Sequence, residues 1–476
     1  LDSAADPQKL GRFSFIGGDP FLIYRAKRVR TDRGACSARI QILKLAAGNG
    51  QRFAKPFVRN YCASPFQDLK RLMKCYFIKN EEYAGRPAPL LSGAVGYFGY
   101  DAGHFVEQLS DVGMDDLALP DIYLMFCDCI LAHCHQTDKS YISVVGRGPS
   151  SFAARQAAET LRNKILSRIA AFETDPPSER PKPSARKISR TKLEVRAHFD
   201  ESTYCQAVAR VKEHIFAGDI FEACLTHRLE SSLEGGEPWD LYQELRSVNP
   251  APFACYLNFP EVQIVSASPE RFIALDKNGI AESRPMKGTR PRGQSPPDDI
   301  RLSRELLHSA KDRAENAMIV DVVRNDFGRV CKFHTVHVPE FMTIESHATV
   351  FQMVSTIRGE LRPDLVGLDL IAACFPGGSM TGAPKIEAMK IIDRSEPVKR
   401  GIYAGSIGYL DFAGSLDLNI VIRSFVIKDR RCYYHVGGAI VADSDPKAEY
   451  LETMDKARAL MTALTSLKAS AELGLN

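Results

Sequence analysis

Apolar residues recur at helical spacing in several stretches of the chain. After Ser202, a candidate N-cap, Val208, Val211 and Ile215 form one stripe and Gly218 ends it. Ala154, Ala157, Leu161, Ile165, Leu166 and Ile169 predict a helix over Ser150–Phe172, and similar patterns predict helices over Ser303–Arg324, Pro384–Arg394 and Pro446–Thr465. Short apolar runs bounded by turn residues predict strands at Ile220–Leu225, Phe253–Phe259, Val262–Ser266, Gly408–Leu410, Asp417–Ile427 and Cys432–Val436. Nearer the start, Phe13–Ile16 runs into Gly17-Gly18, and the glycines of Gly93–Asp101 imply a strand packed closely against other backbone. Strands and helices interspersed in this way predict an α+β chain whose sheets carry helices on their outer faces.

One stretch breaks the pattern. Glu173–Lys187 holds four prolines among charged residues and has almost nothing to bury, which reads as a solvated linker. The organisation expected is a region 1–172, a Pro-rich linker 173–190 and a larger region 191–476. The length of 476 residues suits two or three domains, or one large double-layered one. No run approaches the ~20 apolar residues of a membrane span. The net charge of +4 is too small to argue for nucleic acid. Twelve cysteines, mostly in apolar runs such as those of Cys205, Cys224, Cys255 and Cys374, behave as small hydrophobes and suggest a reducing compartment, cytoplasm or plastid. Leu1-Asp2-Ser3-Ala4 carries no export signal and no initiator Met, so the chain is expected to be trimmed or cut from a longer one.

Asp312 and Glu315 lie three apart on one predicted helix, and Glu449 and Glu452 on another. Each pair shares a helix face, and two such faces meeting would make an oxygen-rich site suited to Mg²⁺. Ordinary surface pairing with Lys311, Arg313 and Lys456 is the competing reading. Phe375–Lys385 is a glycine-rich turn feeding a helix, suited either to an anion or to a plain tight turn; Ala383 stands where a P-loop needs Lys. Lys287 sits in a constrained segment with Arg284, Arg290 and Arg292. Their field would lower its pKa and make it a nucleophile; the alternative is an exposed basic loop. Cys127, Cys129, Leu131, His133 and His135 alternate as one face of a strand, and their spacing matches no usual zinc pattern. No Cys lies in a Gly-x-Cys-x-Gly turn, so no glutaminase nucleophile is visible.

Together these segments resemble the chorismate-utilising enzymes. The matching motifs are SPERF (268–272), PMKGTRPRG (285–293), KDRAENAMIVDVVRND (311–326), FPGGSMTGAPKIEAM (375–389), RGIYAGSIGYL (400–410), DLNIVIRS (417–424) and GGAIVADSDPKAEYLET (437–453). They stand in the family's order. RFSFIG and GAVGYFGYD in the first region are similar to the same region of anthranilate and aminodeoxychorismate synthases. The resemblance implies the anthranilate-synthase-like fold, with large sheets packed face to face.

The branch most resembled is aminodeoxychorismate synthase component I, whose motif Pro-Ile-Lys-Gly-Thr carries the lysine proposed as covalent nucleophile; anthranilate synthases usually have Ala at position 287. Glu222 falls where isochorismate and salicylate synthases place the lysine that activates water, and Phe351-Gln352 stands where the family commonly has His before Met-Val-Ser. The resemblance implies Lys287 as nucleophile and Glu270 as general acid. It implies Mg²⁺ on Glu315 and Glu452, with Asp312 and Glu449 direct or through water. Thr381, Gly382, Tyr403, Arg423, Gly437, Gly438, Ala439 and Lys456 would contact substrate. Ammonia would come from a glutamine amidotransferase subunit or fused domain, and the product would lead to p-aminobenzoate and folate. Ser3, Asn249, Pro250 and Phe253 partly match a tryptophan pocket. The alternatives are anthranilate synthase component I and a non-catalytic chorismate- or tryptophan-binding subunit.

Overall fold

The computed structural model describes residues 1–3, 5, 10–29, 37–45, 57–79, 85–174, 193–347 and 350–472. The Pro-rich stretch from 175 onward lies outside them. The helix Glu201–Phe216 buries Tyr204, Val208 and Val211, and Gly218 ends its turn at φ +83°. Its cap is Asp200, not Ser202. The Asp200 carboxylate accepts from the Thr203 N–H at 2.8 Å, and an acceptor two residues earlier sets where the helix begins.

Two longer expectations are also corrected. The helix expected over Ser303–Arg324 is two helices, Pro296–His308 and Ala310–Gly328, parted at Ser309, whose extended backbone (ψ 111°) lets its hydroxyl accept from the Asp312 N–H. The strand expected over Asp417–Ile427 is likewise two, Leu416–Asn419 and Ser424–Lys428. Between them the chain turns through Arg423 at φ +51°, a left-handed conformation that no Gly or Pro announces. Cys127 and Cys129 fall on separate strands, Ile122–Cys127 and Cys129–Cys134, so the alternating face does not run through them.

Among the described residues, twelve strands form the larger of two main sheets and seven the smaller, and three more, Cys129–Cys134 among them, form a small third sheet. The larger sheet draws strands from both ends of the chain. They join where Gly93–Phe98 pairs antiparallel with Ser406–Asp411. On its other side Gly93–Phe98 pairs with Ile122–Cys127, and a Cβ at Gly96 would stand 2.0 Å from the Tyr123 carbonyl oxygen, so only glycine allows that approach.

The two sheets face each other through Tyr97, Tyr123, Leu257, Phe259, Ile264 and Val426, with Tyr123 and Phe259 stacked at 4.0 Å. Helices Pro238–Val248 and Pro446–Glu472 cover the outer face of the smaller sheet through Leu241, Leu245, Leu460 and Leu464. Helices Pro65–Cys75, Ala310–Gly328 and Gly367–Cys374 cover the larger one through Leu69, Ile319, Val323 and Leu370. The order helix, sheet, sheet, helix matches the architecture expected from the sequence. Among the described residues no helix is long and apolar enough to cross a membrane.

Candidate active site

The site lies where both sheets end. The edge strand Met286–Pro291 of the larger sheet brings Lys287, and strand Glu222–Ser232 of the smaller sheet brings Glu222. The Lys287 ammonium donates to Glu222 Oε1 at 2.7 Å and stands 3.9 Å from Glu315 Oε2. Burial works to lower its pKa, but Glu222 and Glu315 outweigh that and raise it above the ordinary lysine value. This reverses the field expected from the sequence. Arg284 pairs with Glu345, Arg290 with Glu305 and Asp312, and Arg292 with Asp299, so the three guanidiniums are spent on other carboxylates. The amine is therefore held protonated beside Glu222.

Glu270 follows the strand Gln263–Ser268 and is buried. Burial pushes its carboxyl up to about 7, against the opposing pull of the Ser379 hydroxyl, Lys287, the Met286 N–H and Arg423. An acid with that pKa holds its proton for part of the time at neutral pH and can release it. Arg423 is brought there by the left-handed turn that splits the expected strand. Burial lowers its pKa, and Glu270 is the nearby charge that opposes the shift.

The floor is backbone. In the glycine-rich turn, the buried Thr381 hydroxyl donates to the Gly378 carbonyl at 3.2 Å, and the Thr381 carbonyl accepts from the Cys224 N–H at 2.9 Å. Gly382, at φ +144°, pairs with Ala223, and a Cβ there would meet the Glu222 carbonyl oxygen at 2.1 Å. Gly437, Gly438 and Ala439 lie on Arg431–Ile440 opposite Thr226, Leu225 and Cys224. Tyr403 stacks on His435 with ring centres 4.8 Å apart.

The carboxylates come from the two helices named in the sequence. Glu315 projects from Ala310–Gly328, and Glu449 and Glu452 from Pro446–Glu472. Above Gly438 a Cβ would stand 3.0 Å from Glu449 Oε2 and 3.9 Å from Glu452 Oε1, so the missing side chain leaves the space the carboxylates enclose. Asp312 turns aside to pair with Arg290 at 3.1 Å. Lysines lie among the other three. Lys456 meets Glu452 and the Gly437 carbonyl, each at 2.8 Å, and Lys311 stands 3.6 Å from Glu449 and 3.9 Å from Glu315. Among the described residues no three His, Cys, Asp or Glu side chains are gathered closely enough to hold a metal ion. Glu315 is half in this cluster and half beside Lys287, and burial raises its carboxyl to about 7.

Ser379 and Lys311 belong to this site but were not singled out as site residues in the sequence. Ser379 sits inside the glycine-rich motif, and Lys311 is one turn before Glu315, so both were within reach of the pattern. The four residues of the regulatory resemblance divide. Ser3 and Phe253 line a cavity of about 1070 Å³ between the N-terminus and the larger sheet, whereas Asn249 and Pro250 do not line it. Ser3 is fixed by hydrogen bonds to the Phe13 and Pro252 carbonyls at 2.8 and 3.2 Å, and Asn249 reaches toward the Ala267 carbonyl at 3.4 Å.

The fold is shared with a solved protein. The anthranilate synthase component I of Streptococcus pneumoniae TIGR4 superposes with a TM-score of 0.75 at 28% identity, over 95% of this chain and 92% of its own. Residues 20–462 match the chorismate binding enzymes, and the chain belongs to that family. Relatives of both kinds of synthase match it. "Anthranilate synthase component 1" of Acetivibrio thermocellus is 35% identical over 473 residues, 98% of this chain and 89% of the relative. "Aminodeoxychorismate synthase component 1" of Bacillus subtilis (strain 168) is 38% identical over 372 residues, 78% of this chain and 77% of the relative.

Proposed function

We propose that the chain is component I of an aminodeoxychorismate synthase, converting chorismate and ammonia into 4-amino-4-deoxychorismate. The observation that carries this reading is the placement of Lys287. Its Nζ is buried at the cleft, 2.7 Å from Glu222, and Glu270 is close enough for its charge to be felt. Arg423 would grip a substrate carboxylate, and the backbone of Gly437–Ala439 would seat the ring. Glu222 takes a proton from Nζ, and the freed amine attacks C2 of the ring. The ring double bond shifts and the C4–O bond breaks, with Glu270 giving its proton to the departing hydroxyl. Ammonia then attacks C4 and the C2–N bond to Lys287 breaks, so the enolpyruvyl group is kept. A buried glutamate in Glu222's place, already bound to an ammonium, does not suit activation of water.

Glu449 and Glu452 both face Gly438, and one or two carboxylates with waters are a usual Mg²⁺ set. These two would hold the ion, and Glu315, on the other helix, has a buried Oε1 with no hydrogen-bond partner among the described residues; when bound, the ion would neutralise a substrate carboxylate. A glutamine amidotransferase subunit or fused domain would supply ammonia, as the component names of the relatives suggest, and a cytoplasmic or plastid setting would suit the free thiols. The tryptophan pocket is proposed only for Ser3 and Phe253, where the cavity lies.

The second reading is anthranilate synthase component I, favoured by relatives of that name matched over nearly the whole chain. Gln352 weighs against it: it pairs in register with Thr289 and Glu345, and its amide cannot serve as an acid–base group for pyruvate loss. The two readings part in one assay. Chorismate, Mg²⁺ and ammonium should give 4-amino-4-deoxychorismate, turned into p-aminobenzoate by added lyase. Direct formation of anthranilate would overturn the proposal. Lys287→Ala should lose most amination while still binding chorismate.

A further inference from the structure

A buried ion pair, Glu396–Arg400, ties together the pieces of backbone that make the floor of the cleft. Along one edge, strand Glu222–Ser232 pairs with Gly382–Ala383 at Glu222 and Ala223, and with Arg196–Ala197 at Leu229 and Glu230. Between those two short strands, side chains take the place of a strand. The Arg400 guanidinium donates to the Cys224 carbonyl at 2.6 Å, and Glu396 accepts from the Thr226 N–H at 2.8 Å and from the Thr226 hydroxyl at 2.9 Å. Arg400 also donates to the Met380 carbonyl at 2.6 Å and to the two Glu396 oxygens at 2.7 and 2.8 Å. Its charged end lies 4.5 Å from the centre of the Tyr100 ring.

We infer that Arg400 is a positioning residue, which sets the backbone of Thr381–Gly382 and of Cys224–Thr226 so that the ring seated there presents C2 to Lys287. The inference rests on the reading that chorismate binds over that backbone. A planar guanidinium fixes directions as well as distances. The Met380 carbonyl and the Thr381 N–H belong to one planar peptide, so holding the first aims the second. Cys224 and Thr226 stand in register with Ala439 and Gly437, so the same fork steadies the strand across from them. With its donors spent on protein groups, Arg400 acts through this backbone and not on the substrate. A plug that only satisfied an open strand edge would matter to stability and not to turnover. Reaction asks for more: an offset of ~1 Å between reacting atoms costs ~10²-fold in rate. Affinity is shared among many contacts, Arg423 among them, and feels such an offset far less.

The test is Arg400→Lys in the full chain, which keeps a charge for Glu396 but has no fork to hold both carbonyls. Chorismate consumption with Mg²⁺ and ammonium gives kcat, calorimetry gives the chorismate dissociation constant, and urea denaturation shows that the variant is folded under the assay conditions. The expected result is a kcat lowered ~10²-fold in the folded variant, with a dissociation constant changed by less than ~3-fold. A folded variant that keeps its kcat, whether it is less stable or binds chorismate more weakly, would make Arg400 a structural plug and overturn the inference. Should Arg400→Lys not fold, the double variant Arg400→Met/Glu396→Gln removes the pair without stranding a buried charge, and the same fall in kcat is required of it. The underlying reading fails differently. If the unsubstituted protein makes anthranilate, the assigned reaction is wrong, while the rate of chorismate consumption still decides the role of Arg400. If it neither binds nor consumes chorismate, or binds it without consuming it, both fall together.

Discussion

Glu270 offers a direct test of the electrostatics of the cleft. Its carboxyl is raised from an ordinary 4.5 to about 7, chiefly by burial. For an acid raised on folding, the stability of the protonated form is fully present below the unfolded pKa and is lost as pH rises through the folded one. Between those limits the native state binds the proton that the unfolded chain has released, so stability falls as pH rises and levels off above about 7. The linkage relation gives a penalty of ~0.8 kcal/mol near pH 5 and ~3.3 kcal/mol near pH 8. Glu270→Gln resembles the protonated acid and carries no such penalty. Its stability relative to the unsubstituted protein should therefore rise by ~2.5 kcal/mol between those two conditions, read from paired urea denaturations. The difference between the two proteins is the quantity to follow, because Glu315 and Asp101 are also raised to about 7 and titrate in both. A constant difference across the range would mean that Glu270 ionises normally, and the argument for it as a proton donor at neutral pH would be lost. Amination should be abolished in the variant at every pH.

Three further outcomes follow from the same geometry. Removing one partner of the Glu222–Lys287 pair leaves a buried charge, so Glu222→Gln and Lys287→Met should each cost ~2–4 kcal/mol, and the double variant should recover much of it; additive losses in a double-mutant cycle would refute the pairing. Gly438→Ala places a methyl 3.0 Å from Glu449 Oε2, the movable end of a side chain. It should fold normally but bind Mg²⁺ ~10-fold more weakly in calorimetry, a loss of ~1.4 kcal/mol. Ser309→Ala removes the hydroxyl that receives the Asp312 N–H and should lower stability by ~1 kcal/mol, visible in denaturant midpoints.

The sequence by itself marked the local motifs and most of the elements that carry them. The carboxylate pairs Asp312/Glu315 and Glu449/Glu452, the glycine-rich turn and the lysine motif were legible because each is a local spacing on one element. The stripe of Val208 and Val211 and the strand alternations were legible for the same reason, since a period of 3.6 or 2 is written in consecutive residues. Ser309 was in principle readable too: a serine three residues before an aspartate marks a helix start, and a long apolar pattern masked it. The turn at Arg423 was not readable, because residues buried on both sides show no change of period where the chain breaks, and no glycine marks the positive φ. The charge around Lys287 also depended on tertiary structure. Its neighbours in sequence are arginines, while its neighbours in space are Glu222, 65 residues earlier, and Glu315, from another element. Electrostatic potential falls with distance through space rather than along the chain, so only the packing of the two sheets against the carboxylate-bearing helix decided the sign of the field at that amine.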